Sequence, residues 1–119
     1  MRMRITLPWP SKVLSPNARV HWRTKANAAA TFRELAYYTA SMAPADQRMH
    51  LREAKALKLT LTFLPPDKRR RDLDNLGASL KAALDGICHA CKIDDSLIRE
   101  TTHAWGPVID GGAVNVELR

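Results

Sequence analysis

Nine residues near the middle of the chain, Lys68-Arg69-Arg70-Arg71-Asp72-Leu73-Asp74-Asn75-Leu76, place four consecutive cations directly ahead of two carboxylates spaced i, i+2. The two signs of charge suit different jobs around a phosphodiester. Cations neutralise a nucleic-acid backbone, whereas carboxylates are hard oxygen donors for a divalent ion such as Mg²⁺. Acids beside a basic run repel phosphate and serve a simple DNA binder poorly. A nuclease needs both. A second acidic pair, Asp94-Asp95, follows about twenty residues later.

Each feature also has an ordinary structural explanation. Asp74 sits where a helix N-cap or first-turn acid belongs, and Asp94 or Asp95 could simply start a turn. A charge cluster after Pro65-Pro66 could be a solvated loop. Taken alone, an Asp-x-Asp favours the capping explanation. The adjoining basic run and the second acidic pair together shift the balance towards a metal site. With an extended entry, Asp72 and Asp74 would project to one side with Cα atoms roughly 7 Å apart, close enough to share a cation. Nucleotide-sugar transferases also hold a divalent ion with an Asp-x-Asp, but they need a longer nucleotide-binding sheet than this chain supplies.

The elements that must position these residues are legible in outline. Met3, Ile5 and Leu7 alternate with Arg4 and Thr6, which predicts a strand ended by Pro8 and Pro10. Residues 9–23 read as a loop carrying Lys12, Arg19, Arg23 and aromatics. Ala28, Phe32, Leu35, Ala36, Thr39 and Met42 fall at helical spacing, and Pro44 closes that helix. The polar stretch 44–54 reads as a connecting loop. Leu57, Leu59, Leu61 and Phe63 alternate with polar residues and form the clearest strand. Leu73, Leu76, Leu80, Ala83, Leu84 and Ile87 make one apolar stripe, predicting a second helix just after the first acidic pair. Residues 97–105 look extended, and Val114, Val116 and Leu118 alternate as a last strand. Asp110-Gly111-Gly112 between them suggests a hairpin. The expected fold is a single small α+β domain over 1–119, with a mixed sheet and two main helices in the order strand-helix-strand-helix-strand-strand.

The chain has 119 residues, with 19 Lys and Arg against 12 Asp and Glu, a formal charge of +7. That length supports a core without metal or disulfide help, and the charge favours an anionic partner. No apolar run approaches eighteen residues, so no membrane span is expected. The first residues do not resemble a signal peptide, so a cytoplasmic location is expected. Cys88 and Cys91 form one Cys-x-x-Cys near a helix end. His21, His50 and His103 lack the spacing to complete a zinc site with them. Free structural cysteines are expected.

The segment Arg70-Arg71-Asp72-Leu73-Asp74-Asn75-Leu76, the opening Ile5-Thr6-Leu7-Pro8-Trp9-Pro10 and the later Asp94-Asp95 resemble the RusA family of Holliday junction resolvases. Ser15-Pro16-Asn17 and Trp22 are similar to phage-type members, and the resemblance runs over nearly the whole chain. It implies a homodimeric endodeoxyribonuclease that resolves four-way DNA junctions by paired symmetric nicks in recombination and repair. Asp72, Asp74 and Asp95 would then hold Mg²⁺, with Mn²⁺ as an alternative ion, and no organic cofactor would be needed. Lys68, Arg69, Arg70 and Arg71 would bind DNA, and Asp94 would assist the site. Many family members carry a lysine four residues after the second Asp; here that position is Ala78. Lys81, three residues on, either takes over that role or is an ordinary exposed lysine. The departure keeps open a catalytically idle binder of branched DNA, or a nuclease for flaps and forks. Trp9, Trp22 and Trp105 are aromatic candidates for stacking, each as well explained by packing.

Overall fold

A computed structural model describes all 119 residues. Four strands and four helices follow in the order β1 (Met3–Pro8), α1 (Trp22–Ser41), α2 (Ala45–Glu53), β2 (Leu57–Leu64), α3 (Leu73–Ser79), α4 (Lys81–Cys91), β3 (Ile98–Trp105) and β4 (Ala113–Leu118). Single 3₁₀ turns at Lys12–Leu14 and Asp95–Leu97 precede α1 and β3. The architecture is α+β with a mixed sheet, as expected.

The strands form one sheet in the order β1-β4-β2-β3. β4 is antiparallel to both neighbours, running from Met3↔Leu118 to Pro8↔Ala113 on one side and from Leu59↔Leu118 to Leu64↔Ala113 on the other. β3 is parallel to β2. The hairpin expected between the last two strands is therefore absent. A strand reached through a helical crossover pairs parallel, and α3–α4 is that crossover from β2 to β3. The Gly111-Gly112 turn, with φ of 76° and 69°, reverses the chain into the slot between β1 and β2 instead of back along β3.

Alternation gives the sheet two unlike faces. Met3, Ile5, Leu7, Leu57, Leu59, Leu61, Phe63, Val114, Val116 and Leu118 are buried beneath the helices. The opposite face is polar: Arg4 Nε lies 3.3 Å from Glu117 Oε2, and Thr6 Oγ1 donates to Asn115 Oδ1 at 3.0 Å. On the covered face α1 crosses α4, using Phe32, Ala36 and Ala40 against Ala83, Ile87 and Ala90. Gly86 makes the crossing possible, since a methyl there would collide with the Arg33 carbonyl. The buried row of α1 is narrower than the expected stripe, and Leu35 and Met42 lie exposed.

Two further differences concern the helices. Residues 45–53 form α2 rather than a loop; only Leu51 is buried, so no apolar stripe announces it. Arg52 Nε fastens this helix by donating to the Cys91 carbonyl at 3.0 Å. The helix expected after the acidic pair is two helices, broken at Leu80 (φ −88°, ψ −2°). Ser79 Oγ donates to the Asn75 carbonyl at 2.9 Å just before the break. Cys88 and Cys91 are buried and unpaired with each other in the last turn of α4. No helix is long and apolar enough to cross a membrane.

Candidate active site and nucleic-acid interface

The loop from β2 to α3 carries the basic run and leads into the first acidic pair, and Arg71 shapes it. Arg71 Nη2 reaches Asp67 Oδ1 at 2.9 Å, while Nη1 donates to the carbonyls of Asp67 and Arg69, both at 3.2 Å. Its guanidinium carbon also sits 5.3 Å from the centre of the Trp9 ring, a cation–π distance. Asp67 in turn accepts from the Arg69 backbone N–H at 2.9 Å. That bond foremost holds the Asp67 carboxyl below the usual carboxylate range, partial burial opposing it and Arg71 reinforcing it. Arg71 is thus a brace, with only 19% of its side chain exposed. Lys68, Arg69 and Arg70 are exposed, with Arg69 Nε 3.6 Å from Asp67 Oδ2.

The brace ends where α3 begins. Asp72 is the N-cap: its backbone is extended, and Oδ1 accepts from the N–H groups of Asp74 at 2.9 Å and Asn75 at 3.3 Å. Asp74 already belongs to the first helical turn, so the pair is not two like-facing positions of an extended segment. Both carboxylates are exposed. Capping consumes only one oxygen of Asp72. Asp72 Oδ2 and the Asp74 carboxylate therefore remain as hard donors, and a Mg²⁺ ion is commonly held by one or two carboxylates plus water and substrate phosphate. The donor set fits.

Asp95 is elsewhere. Asp94 caps the 3₁₀ turn before β3, accepting from Ser96 N at 2.9 Å, and that N–H lowers the Asp94 carboxyl below its usual range. Asp95 follows it, at the end of the sheet where β3 starts. Because β2 and β3 are parallel, the loop after β2 lies at the other end. β3 has eight residues, which span about 26 Å. Asp72 and Asp74 are therefore neighbours at the start of α3, and Asp95 lies at the other end of the sheet. No group of three or more Asp, Glu, His or Cys is gathered in a metal-holding arrangement. The sequence already sets a helix between the two acidic pairs, so that Asp94-Asp95 return to its start only if the helix ends early or the loop folds back; strand order shows that they do not return.

Lys81 opens α4 and is exposed. It lines a depression of about 270 Å³ with Lys25, Arg33, Ala78 and Asp85, between α1 and α4. Trp22 is 69% exposed beneath Arg23, and Trp105, 46% exposed, ends β3 with its ring 6.3 Å from that of Phe63.

A cavity of about 530 Å³ opens beside Asp72. Trp9, Asp67, Arg69 and Arg71 form one side, the 3₁₀ loop with Lys12, Ser15 and Asn17 another, and Asn75 and Ser79 of α3 the floor. Lys25 Nζ donates to the Ser15 carbonyl at 3.1 Å and ties that loop to α1. Asp67 was not singled out from the sequence, although its i, i+4 spacing to Arg71 was a usable signal. The roles of Ser15 and Asn17 needed the fold.

No family model matches the chain. The chain is similar to an uncharacterized protein of Xylella fastidiosa (strain Temecula1), 43% identical over 91 residues that cover 76% of this chain. Those residues cover 59% of that protein, so the chain spans less than two thirds of its relative's length.

Proposed function

We propose that this protein is a Mg²⁺-dependent endodeoxyribonuclease that resolves four-way DNA junctions as a homodimer, in DNA recombination and repair in the cytoplasm. The observation that carries this reading is that two exposed carboxylates, Asp72 and Asp74 at the start of α3, directly follow a loop on which Lys68, Arg69 and Arg70 are exposed. Lys68, Arg69 and Arg70 would hold the DNA backbone, giving affinity with little sequence information. Arg71 fixes the loop so that the carboxylates and cations keep one relative position. Asp72 and Asp74 would hold the ion, which when bound lowers the pKa of a water and stabilises charge on the phosphate.

If Asp95 also serves, it must come from a second copy, since its own chain holds it at the far end of the sheet. Twofold symmetry would then complete two equivalent sites and suit the symmetry of a four-way junction.

One observation favours a second reading. Position 78, one helical turn beyond Asp74, is Ala, and Lys81 lines the α1–α4 depression and not the cavity beside Asp72. A structure-selective binder that does not cut, or a nuclease preferring flaps or forks, would have the same basic loop.

The deciding experiment is cleavage of a labelled, immobile four-way junction with and without Mg²⁺, for the wild type and Asp72→Asn, against matched linear duplex. Paired symmetric nicks that need metal and vanish in Asp72→Asn while binding survives are expected. Tight junction binding with no cutting in Mg²⁺ or Mn²⁺ would leave the idle binder. Preferential cutting of a matched flap or fork would move the reading to those substrates.

A further inference from the structure

We propose that the cavity beside Asp72 receives one unstacked nucleotide of the bound DNA strand, with its base against Trp9 and its polar edge towards Asn17 and Asn75. The inference rests on the nucleic-acid reading of the basic loop, but not on cutting.

The cavity matches a nucleotide in size and in the order of its surfaces. Its volume of about 530 Å³ falls in the range of small-molecule sites. The half-buried Trp9 indole is held from two sides, by the Arg71 guanidinium and by the Phe63 ring at 6.2 Å in edge contact. A fixed aromatic surface is what an unstacked base needs, because every base has a face that stacks. The Asn17 and Asn75 side-chain amides take no part in the hydrogen bonds that build the loop, and each offers both a donor and an acceptor. That pairing suits the Watson–Crick edge of a base. Lys12 and Arg69, both exposed at the rim, stand where the flanking phosphates would run. Asp72 borders the same cavity, so a base seated there would set its own backbone beside the carboxylates. Unstacking is also least costly at a branch point, where bases have already lost neighbours.

The test uses the whole chain in EDTA, so that no cutting can occur. A short single-stranded DNA oligomer is compared with the same oligomer carrying one central abasic site, while ¹H–¹⁵N spectra follow the Trp9 indole and the Asn17 and Asn75 side-chain amides. Inorganic phosphate is the control. Saturable shifts at these three groups are expected, with about tenfold weaker binding of the abasic oligomer. Asn17→Leu, on an exposed loop position outside the core, removes one polar-edge contact without adding a stacking surface and should narrow the difference between the base-containing and abasic oligomers. Equal affinity for the two oligomers would overturn the proposal, as would the same Trp9 shifts with phosphate alone. Because junction cleavage in Mg²⁺ is scored separately, base-dependent binding without cutting would retain the cavity and remove the resolvase reading. Cutting without base dependence would do the reverse.

Discussion

Arg71 and Asp67 are joined twice, by an ion pair at 2.9 Å and by a bond of 3.2 Å from the same guanidinium to the Asp67 backbone carbonyl. The most buried cation of the basic run therefore serves the loop, whereas Lys68, Arg69 and Arg70 are exposed, Arg69 Nε lying 3.6 Å from Asp67 Oδ2. Arg71→Lys preserves the charge but cannot reach three acceptors while keeping a planar cation over Trp9. Junction affinity should change little, whereas the single-turnover cutting rate should fall by about a hundredfold, as expected when reacting groups lose their alignment. Equal losses in affinity and rate would show that Arg71 is an ordinary phosphate contact.

The same latch responds to acid. The Asp67 carboxyl titrates below its usual range in the folded protein, so its contribution is complete above the unfolded value and fades as pH falls through the lowered folded one. The loop should thus be fully latched at neutral pH and open only below about pH 4. Titration of the Asp67 carboxyl carbon by NMR, with the Trp9 indole as reporter, checks both points. A Trp9 signal that moves near neutral pH would contradict the assignment.

Asp72 is the N-cap of α3, and the proposed reading gives it a second, separable duty. Asn caps a helix about as well as Asp, while Ala forfeits roughly 1 kcal/mol. Asp72→Asn should therefore unfold at the wild-type denaturant midpoint yet cut no junction, and Asp72→Ala should lose both stability and cutting. If Asp72→Asn still cuts at the normal rate, the carboxylate is a cap and nothing more.

Mixing variants tests whether Asp95 crosses between chains. Asp72→Asn and Asp95→Asn homodimers should both be inactive. In a mixed dimer, one site receives both substitutions and the other receives neither. Refolding the two variants together should then restore nicking of one strand per junction. A mixture as inactive as its parents would mean that Asp95 has no part in the partner's site.

Cys88 is buried and its thiol is pushed up to about 11, burial being the main cause and Asp95 the next; burial raises Cys91 likewise. Both should resist alkylation at neutral pH until the protein unfolds, as read by mass spectrometry. A raised folded pKa means that the stabilisation is complete below the ordinary value of 9.0 and is lost as pH climbs towards about 11. Fast labelling of the native protein at neutral pH would contradict the packing of α4.

Gly86 is where α1 and α4 meet. Gly86→Ala must push the Arg33 carbonyl away, and overpacking of this kind costs about 2 kcal/mol. A fall in Tm on the order of 10 °C is expected. An unchanged Tm would mean that the helices can separate freely.

What could be read from the sequence was whatever repeats along one element. Three strands with strict alternation were plain, as were α1 and the apolar stripe running from Leu73 to Ile87. The break at Leu80 was hidden because the stripe passes through it without interruption, and α2 because it buries little besides Leu51. A turn signal such as Asp110-Gly111-Gly112 reports a local reversal but not which strand lies alongside afterwards. The site was legible to the same extent. Asp72, Asp74 and the cations are neighbours in sequence and stay so, whereas the distance to Asp95 follows from parallel pairing of β2 and β3. The cavity joins residues some sixty apart, from Trp9 to Arg71, and no local pattern could reveal it.

The slot occupied by β4 has a consequence for how the molecule is made. β1 has β4 as its only partner, and β4 is the last element in the chain order. Contacts of such long sequence separation form slowly. A nascent chain can close the Asp67–Arg71 latch early, because it spans five residues, but the wall formed by Trp9 has no fixed place until residues 113–118 insert. Gly112 helps this closure, since a side chain at its φ of 69° would be strained and would crowd Trp9 and Pro66. Assembly of the sheet therefore sets when these walls form: the charged loop precedes β4 in the chain and is synthesised before the strand that fixes its surroundings.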